Sequence, residues 1–300
     1  MTADAGLAAR RQGMMLALAA AGAYGTNIVS AQMAGQAGLN GPLLVFYRVF
    51  IMLALVAAAV AIWRTSLAVP RAERRALLLF GTTSALVGSA YLSSVAFLPV
   101  TVAAVVFFTY PVLIVLAEPF VTRTRFRPER LAAACAAFIG VAMVVGPDLH
   151  GLDPRGLALA ILASLAAATQ FFAAAGLPGT PLAARLFWSH LLILPVTAGI
   201  LAITGGFLPP AAFALAPVAA AVTIGGYLLG FLLQVIALTR ISPGAAGLAF
   251  CAEPVCAVLI AAIVLGERLG PLQYAGCALV VATLAINVTI EQMRRSPAPA

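Results

Sequence analysis

Uninterrupted apolar stretches of membrane-spanning length constrain this chain more than any other feature. A helix needs about 20 apolar residues to cross roughly 30 Å of hydrocarbon. Ten runs of about that size stand between polar or Pro/Gly breaks: 14–34, 43–63, 76–96, 100–120, 131–145, 157–172, 182–203, 217–238, 245–265 and 272–290. Hydrocarbon offers the backbone no hydrogen-bond partners, so spans must be helices or a closed barrel, and the runs lack the in/out alternation of barrel strands. The fold class expected is an all-α membrane protein with ten transmembrane helices. With 63% hydrophobic and 9% charged residues, the chain has too little polar surface to cover a soluble globule.

Charge placement gives the orientation. The chain contains no Lys, so its 17 basic residues are all Arg. If the spans alternate, Arg10, Arg11, Arg64, Arg71, Arg74, Arg75, Arg123, Arg125, Arg127, Arg130, Arg185, Arg240, Arg294 and Arg295 share one side. Arg155 and Arg268 fall on the other, and Arg48 lies inside a span. The positive-inside rule then puts both termini in the cytoplasm. The net charge of +8 becomes a topology signal with a possible second use in attracting anionic lipid, and a nucleic-acid partner loses its basis. The N-terminal run continues to residue 34 and nine more follow, so it reads as a first helix and not a cleaved signal. Cys135, Cys251, Cys256 and Cys277 all lie within spans at spacings that match no zinc or CxxC pattern. They read as small packing residues, and neither a metal nor a cofactor is expected.

The chain also repeats itself. At an offset of 143 residues Phe107 falls on Phe250, Pro111 on Pro254, Arg125 on Arg268 and Pro128 on Pro271, while Asn27 falls on Gln170. The halves are therefore 1–150 and 151–300, with five spans each. Five is odd, so the second copy enters the membrane from the opposite side. Such inverted repeats place a substrate site near the midplane, in a central cavity where the halves meet, and give two openings of similar energy.

Polar and kinking residues within spans mark where that cavity lies. Pro111 and Pro254 are expected to bend the fourth and ninth helices and free a carbonyl at depth. Glu253, in AFCAEPVCAVLIAAIVLGERL, lies roughly 12–15 Å from the cytoplasmic end by helix rise. A carboxylate there has three readings: a buried ion pair with Arg48, a site for a substrate ammonium, or a carrier of a coupling proton. Arg48 and His190 are candidates for gating or coupling, with snorkelling and packing as their structural alternatives. Glu118, beside Pro119 and Arg123, reads as an interfacial ion-pair partner. Asn27, Tyr91, Phe107, Tyr110, Gln170, Tyr227 and Gln234 complete the candidate cavity wall. There is no HExxH, GxSxG or P-loop, and of the two His one, His150, stands in a loop, so a membrane enzyme is the weaker class.

The pattern A-x-x-x-x-S-P-x-x-A, then EP, then GERL-x-P-x-Q-x-x-G, running from Ala237 to Gly276, resembles the second EamA domain of the drug/metabolite transporter superfamily. PLLVFYRVF, from Pro42 to Phe50, is similar to that domain's Arg-containing second helix. The first half fits less closely, with TYPV for the EP step and Thr124–Phe126 where GERL would stand. Within the superfamily the chain looks most like the YddG-type ten-helix exporters. That likeness implies export of aromatic and other neutral amino acids, or related amphipathic metabolites, across a bacterial inner membrane; multidrug and metabolite exporters of the same superfamily share its motifs and are the alternative. It also implies two halves rocking about a cavity lined by the first, third, fourth, sixth, eighth and ninth helices, and a monomer is the simplest assembly that fits. Gly226 and Gly230 form a small-xxx-small pair suited to close helix contact.

Overall fold

A computed structural model describes residues 3–146 and 152–293, with side chains over 6–146 and 152–287. The expected boundary between the halves at 150/151, together with His150, Arg294 and Arg295, lies outside the described residues. The chain folds as α1 (Ala3–Gln36), α2 (Gly41–Trp63), α3 (Arg74–Ser94), α4 (Val100–Phe107), α5 (Tyr110–Thr122) and α6 (Pro128–Val145), followed by α7 (Pro154–Ala175), α8 (Leu182–Ile203), α9 (Pro217–Ala237), α10 (Pro243–Phe250), α11 (Ala252–Val264) and α12 (Pro271–Met293). Among the described residues there is no strand.

Among the described residues nine helices or interrupted helix pairs are long and apolar enough to cross a bilayer, the α4–α5 and α10–α11 pairs each counting once. The tenth expected span forms α12, whose described apolar stretch, Pro271–Asn287, is shorter. Helix starts follow local chemistry. Proline in the first turn opens α2, α6, α7, α9 and α10, where its missing N–H costs nothing. The side chains of Asn40, Asp153 and Ser242 cap α2, α7 and α10 by accepting from backbone N–H groups at 2.8–3.3 Å. Arg64 and Arg123 end α2 and α5 in the left-handed region, at φ 49° and 53°, and each puts a cation at the negative end of a helix dipole.

The fourth and ninth spans are interrupted rather than bent. α4 ends at Phe107 and α10 at Phe250, the residues four before Pro111 and Pro254. Those are the carbonyls that each proline leaves without a donor and crowds with its ring. Each proline then sits in the first turn of the following segment. The two breaks are displaced by the same 143 residues as the sequence repeat, and α3 and α9 have the same bounds at that offset.

Packing follows the repeat. α1 lies along α9 and α3 along α7, contacts that exchange when the halves are swapped, while α6 packs on α12 and α2 on α8. Close approach needs small residues. A Cβ on Gly226 would come within 2.8 Å of the Ala23 carbonyl oxygen, and one on Gly276 within 2.7 Å of that of Gly140. The outer surface carries Phe120, Ile203 and Ile263 at more than 80% exposure, as suits a lipid-facing wall. Cys135 joins that wall, so it is not the core packer expected, whereas Cys251 and Cys277 are buried.

Candidate functional site

A cavity of about 720 Å³ occupies the middle of the bundle and reaches the end at which α1 finishes and α2 begins, where Gln32, Gly41, Pro42 and Val100 line it. The six helices expected to form its wall do so, as α1, α3, α4–α5, α7, α9 and α10–α11. They are joined by α2, through Val45 and Arg48, and by α8, through Ile193 and Thr197. Among the described residues α6 and α12 contribute nothing to the lining.

All eight expected wall residues line this cavity: Asn27, Tyr91, Phe107, Tyr110, Gln170, Tyr227, Gln234 and Glu253. All eight fall into pairs of wall residues at the repeat offset: Asn27 with Gln170, Tyr91 with Gln234, Phe107 with Phe250, Tyr110 with Glu253, and Ser84 with Tyr227. A common backbone frame thus presents different chemistry from each half. Ser84, Tyr24, Phe171 and Phe250 are wall residues that sequence reasoning did not single out as a site. The repeat carried a signal for two of them, since Phe250 is the partner of Phe107 and Ser84 that of Tyr227.

A hydrogen-bonded chain crosses between the halves. The Tyr24 hydroxyl donates to Gln234 Oε1 at 2.9 Å, Gln234 Nε2 to Gln170 Oε1 at 3.4 Å, and Gln170 Nε2 to Ser84 Oγ at 2.7 Å. Asn27 Nδ2 donates to the Thr223 carbonyl at 2.5 Å, tying α1 to α9. Each buried amide therefore has a partner, which fixes its orientation in a medium where an unmade bond is costly. Aromatic rings fill the spaces between: Phe107 lies 5.2 Å from both Tyr91 and Tyr110, and Phe171 meets Phe250 edge-on at 5.3 Å.

Two charged groups face this wall without an ionic partner among the described residues. The Arg48 guanidinium lies over the Tyr227 ring, 4.2 Å from its centroid, and its buried Nε has no acceptor. Glu253 stands at the start of α11 and lines the cavity together with Tyr24, Tyr91 and Tyr110. The ion pair with Arg48, one of the three readings for Glu253, is not formed. His190 is fully buried behind the wall. Its Nδ1 lies 2.9 Å from the Leu186 carbonyl, which can only accept, so that nitrogen carries the proton and Nε2 accepts from the Tyr227 hydroxyl at 3.1 Å. His190 thereby holds the ring on which Arg48 rests.

The opposite end of the cavity is shut. α5 packs against α10 there, while the pair related to it by the repeat, α4 and α11, is not packed to a comparable extent. Glu118 is buried in that seam. Its carboxylate accepts from Arg130 Nη1 at 2.9 Å and from the Gly244 N–H at 3.2 Å, and Arg130 also reaches Ser242 Oγ at 3.5 Å. The expected ion pair of Glu118 exists, with Arg130 as its partner.

The model of the EamA-like transporter family matches the chain twice, over residues 11–146 and 154–289. No curated protein matches it. One solved structure, described only as "Crystal structure of protein", superposes with a TM-score of 0.76 at 19% identity, covering 95% of this chain and 99% of that one. At that identity the likeness speaks for the fold alone.

Proposed function

The chain belongs to the EamA-like transporter family of the drug/metabolite transporter superfamily, and on that premise we propose that it exports small zwitterions, aromatic and other neutral amino acids above all, by alternating access. The observation that carries this reading is the wall chemistry of the central cavity. One unpaired carboxylate, Glu253, and one guanidinium with an unused donor, Arg48, face a space whose remaining lining is aromatic and aliphatic, with a few amide and hydroxyl groups. An amino acid offers the complementary set: an ammonium for Glu253, a carboxylate for Arg48 and an apolar side chain for the rings. A volume of about 720 Å³ holds such a molecule with several waters.

In this reading residues 1–150 and 151–300 are inverted five-helix repeats, α12 supplies the tenth crossing, and both termini lie in the cytoplasm of a bacterial inner-membrane protein. The arrangement described is then outward-open, with the α5–α10 seam as the closed inner gate. Interchanging the conformations of the halves would separate α5 from α10 and bring α4 onto α11. Other amphipathic metabolites of similar size are the alternative cargo.

Counterflow in proteoliposomes tests the cargo. Vesicles loaded with unlabelled phenylalanine should accumulate labelled phenylalanine faster than vesicles loaded with a nucleoside or a lipophilic cation. Equal rates for all three classes, or exchange only with the nucleoside or the cation, would overturn the amino-acid reading.

A further inference from the structure

A second cavity, of about 300 Å³, lies at the closed end of the bundle. Six arginines line it: Arg10 and Arg11 from α1, Arg125 and Arg127 from the segment between α5 and α6, Arg130 from α6, and Arg240 from the turn between α9 and α10. Among the described residues its lining holds one carboxylate, Glu118, which is already bonded to Arg130 and to the Gly244 N–H. Arg11, Arg125, Arg127 and Arg240 have no carboxylate partner among the described residues, and together they concentrate positive field at this end of the bundle, in a space of the size that takes small ligands. Guanidinium groups match the tetrahedral oxygens of phosphate through paired N–H donors. Leu7, Met14 and Ile241 give the same pocket an apolar floor.

We propose that this basin binds a phosphate-bearing anion, either a phospholipid headgroup or free phosphate. Its wall is built from both halves of the chain: α1, α5 and α6 on one side, the Arg240 turn and the start of α10 on the other. An occupant bridges the seam that Glu118 closes, so binding favours the closed arrangement of this end. The site does not depend on what the central cavity carries.

The test uses the full-length protein, purified and stripped of lipid, with the thermal unfolding midpoint as the readout. In one arm sodium phosphate is titrated against sodium chloride of matched ionic strength. In the other, nanodiscs of phosphatidylcholine are compared with nanodiscs containing phosphatidylglycerol. The midpoint is expected to rise in at least one arm for the unaltered protein and for Arg64→Gln, which lies outside the basin. A rise with phosphate identifies a soluble anion, and a rise with phosphatidylglycerol alone identifies lipid. The double variant Arg125→Gln/Arg127→Gln should weaken the apparent affinity about tenfold or more, because two charge-assisted contacts are lost. The double lysine variant should recover part of it. If the double glutamine variant does not fold, Arg240→Gln serves the same comparison. No rise beyond the chloride or phosphatidylcholine control in either arm, or a rise that the arginine variants retain in full, overturns the proposal.

Discussion

Replacing Glu118 by alanine should open the closed end, and the size of the effect can be worked out from two bonds. Glu118 and Arg130 both belong to the first half, so their 2.9 Å ion pair can persist whichever end is open. The bond to the Gly244 N–H at 3.2 Å joins α5 to α10 and must break when they part. A hydrogen bond to a charged group contributes about 1.5–3 kcal/mol, so its loss should raise the population open at this end by about 10- to 150-fold. Loss of the ion pair with Arg130 is a separate penalty that lies within the first half, falls on both states and so leaves their ratio alone. The assay is the rate at which a membrane-impermeant maleimide, added from the side of the N terminus, labels a single cysteine at Ala167 on the cavity wall, with the four native cysteines replaced. Gly244→Ala should act in the same direction without removing a charge, since its methyl would run into the Glu118 carboxylate. An unchanged labelling rate in Glu118→Ala, alongside a lowered unfolding midpoint, would refute the reasoning and leave the ion pair purely structural.

Glu253→Gln should weaken amino-acid counterflow while sparing that of an uncharged analogue lacking the ammonium; equal loss for both would remove the ammonium contact. In the same variant, loss of a pH-gradient effect with substrate affinity intact would instead make Glu253 the proton carrier. Gly226→Leu should destabilise the α1–α9 contact by more than the 1–3 kcal/mol or so typical of overpacking, because the Ala23 carbonyl lies only 2.8 Å from where the first carbon would stand; an unaltered midpoint and transport rate would show the contact to be loose. Tyr227→Phe should cost about 1–3 kcal/mol of stability by leaving His190 Nε2 buried without a donor, read as a drop in denaturation midpoint that a second change, His190→Phe, should largely abolish.

Hydropathy located the helices because burial in lipid and burial in protein select the same residues. That equivalence is also why it failed at Cys135, which faces outward although its composition reads as core. The prolines marked the two special spans, but a bend was the expectation where the chain in fact breaks, after Phe107 and Phe250. Polar residues at depth led to the cavity wall. Of the contributions of α2 and α8 only Arg48 was legible, since Val45 and Ile193 are indistinguishable in sequence from residues that meet lipid. Pairing was the least readable property. Glu253 and Arg48 looked like partners by charge alone, yet they stand apart, and Glu118 chose Arg130 over the nearer Arg123 because α6 folds back beside α5.

The wall pairs, Tyr110 with Glu253 and Tyr91 with Gln234, separate two properties that a fully symmetric carrier would merge. In the proposed alternating-access cycle, matching scaffolds would let either mouth open at comparable cost, while unlike side chains would give the guest a head and a tail. Exchanging the members of one pair, as in Tyr110→Glu with Glu253→Tyr, should therefore turn the passenger over in its seat while the machine that carries it keeps its stroke.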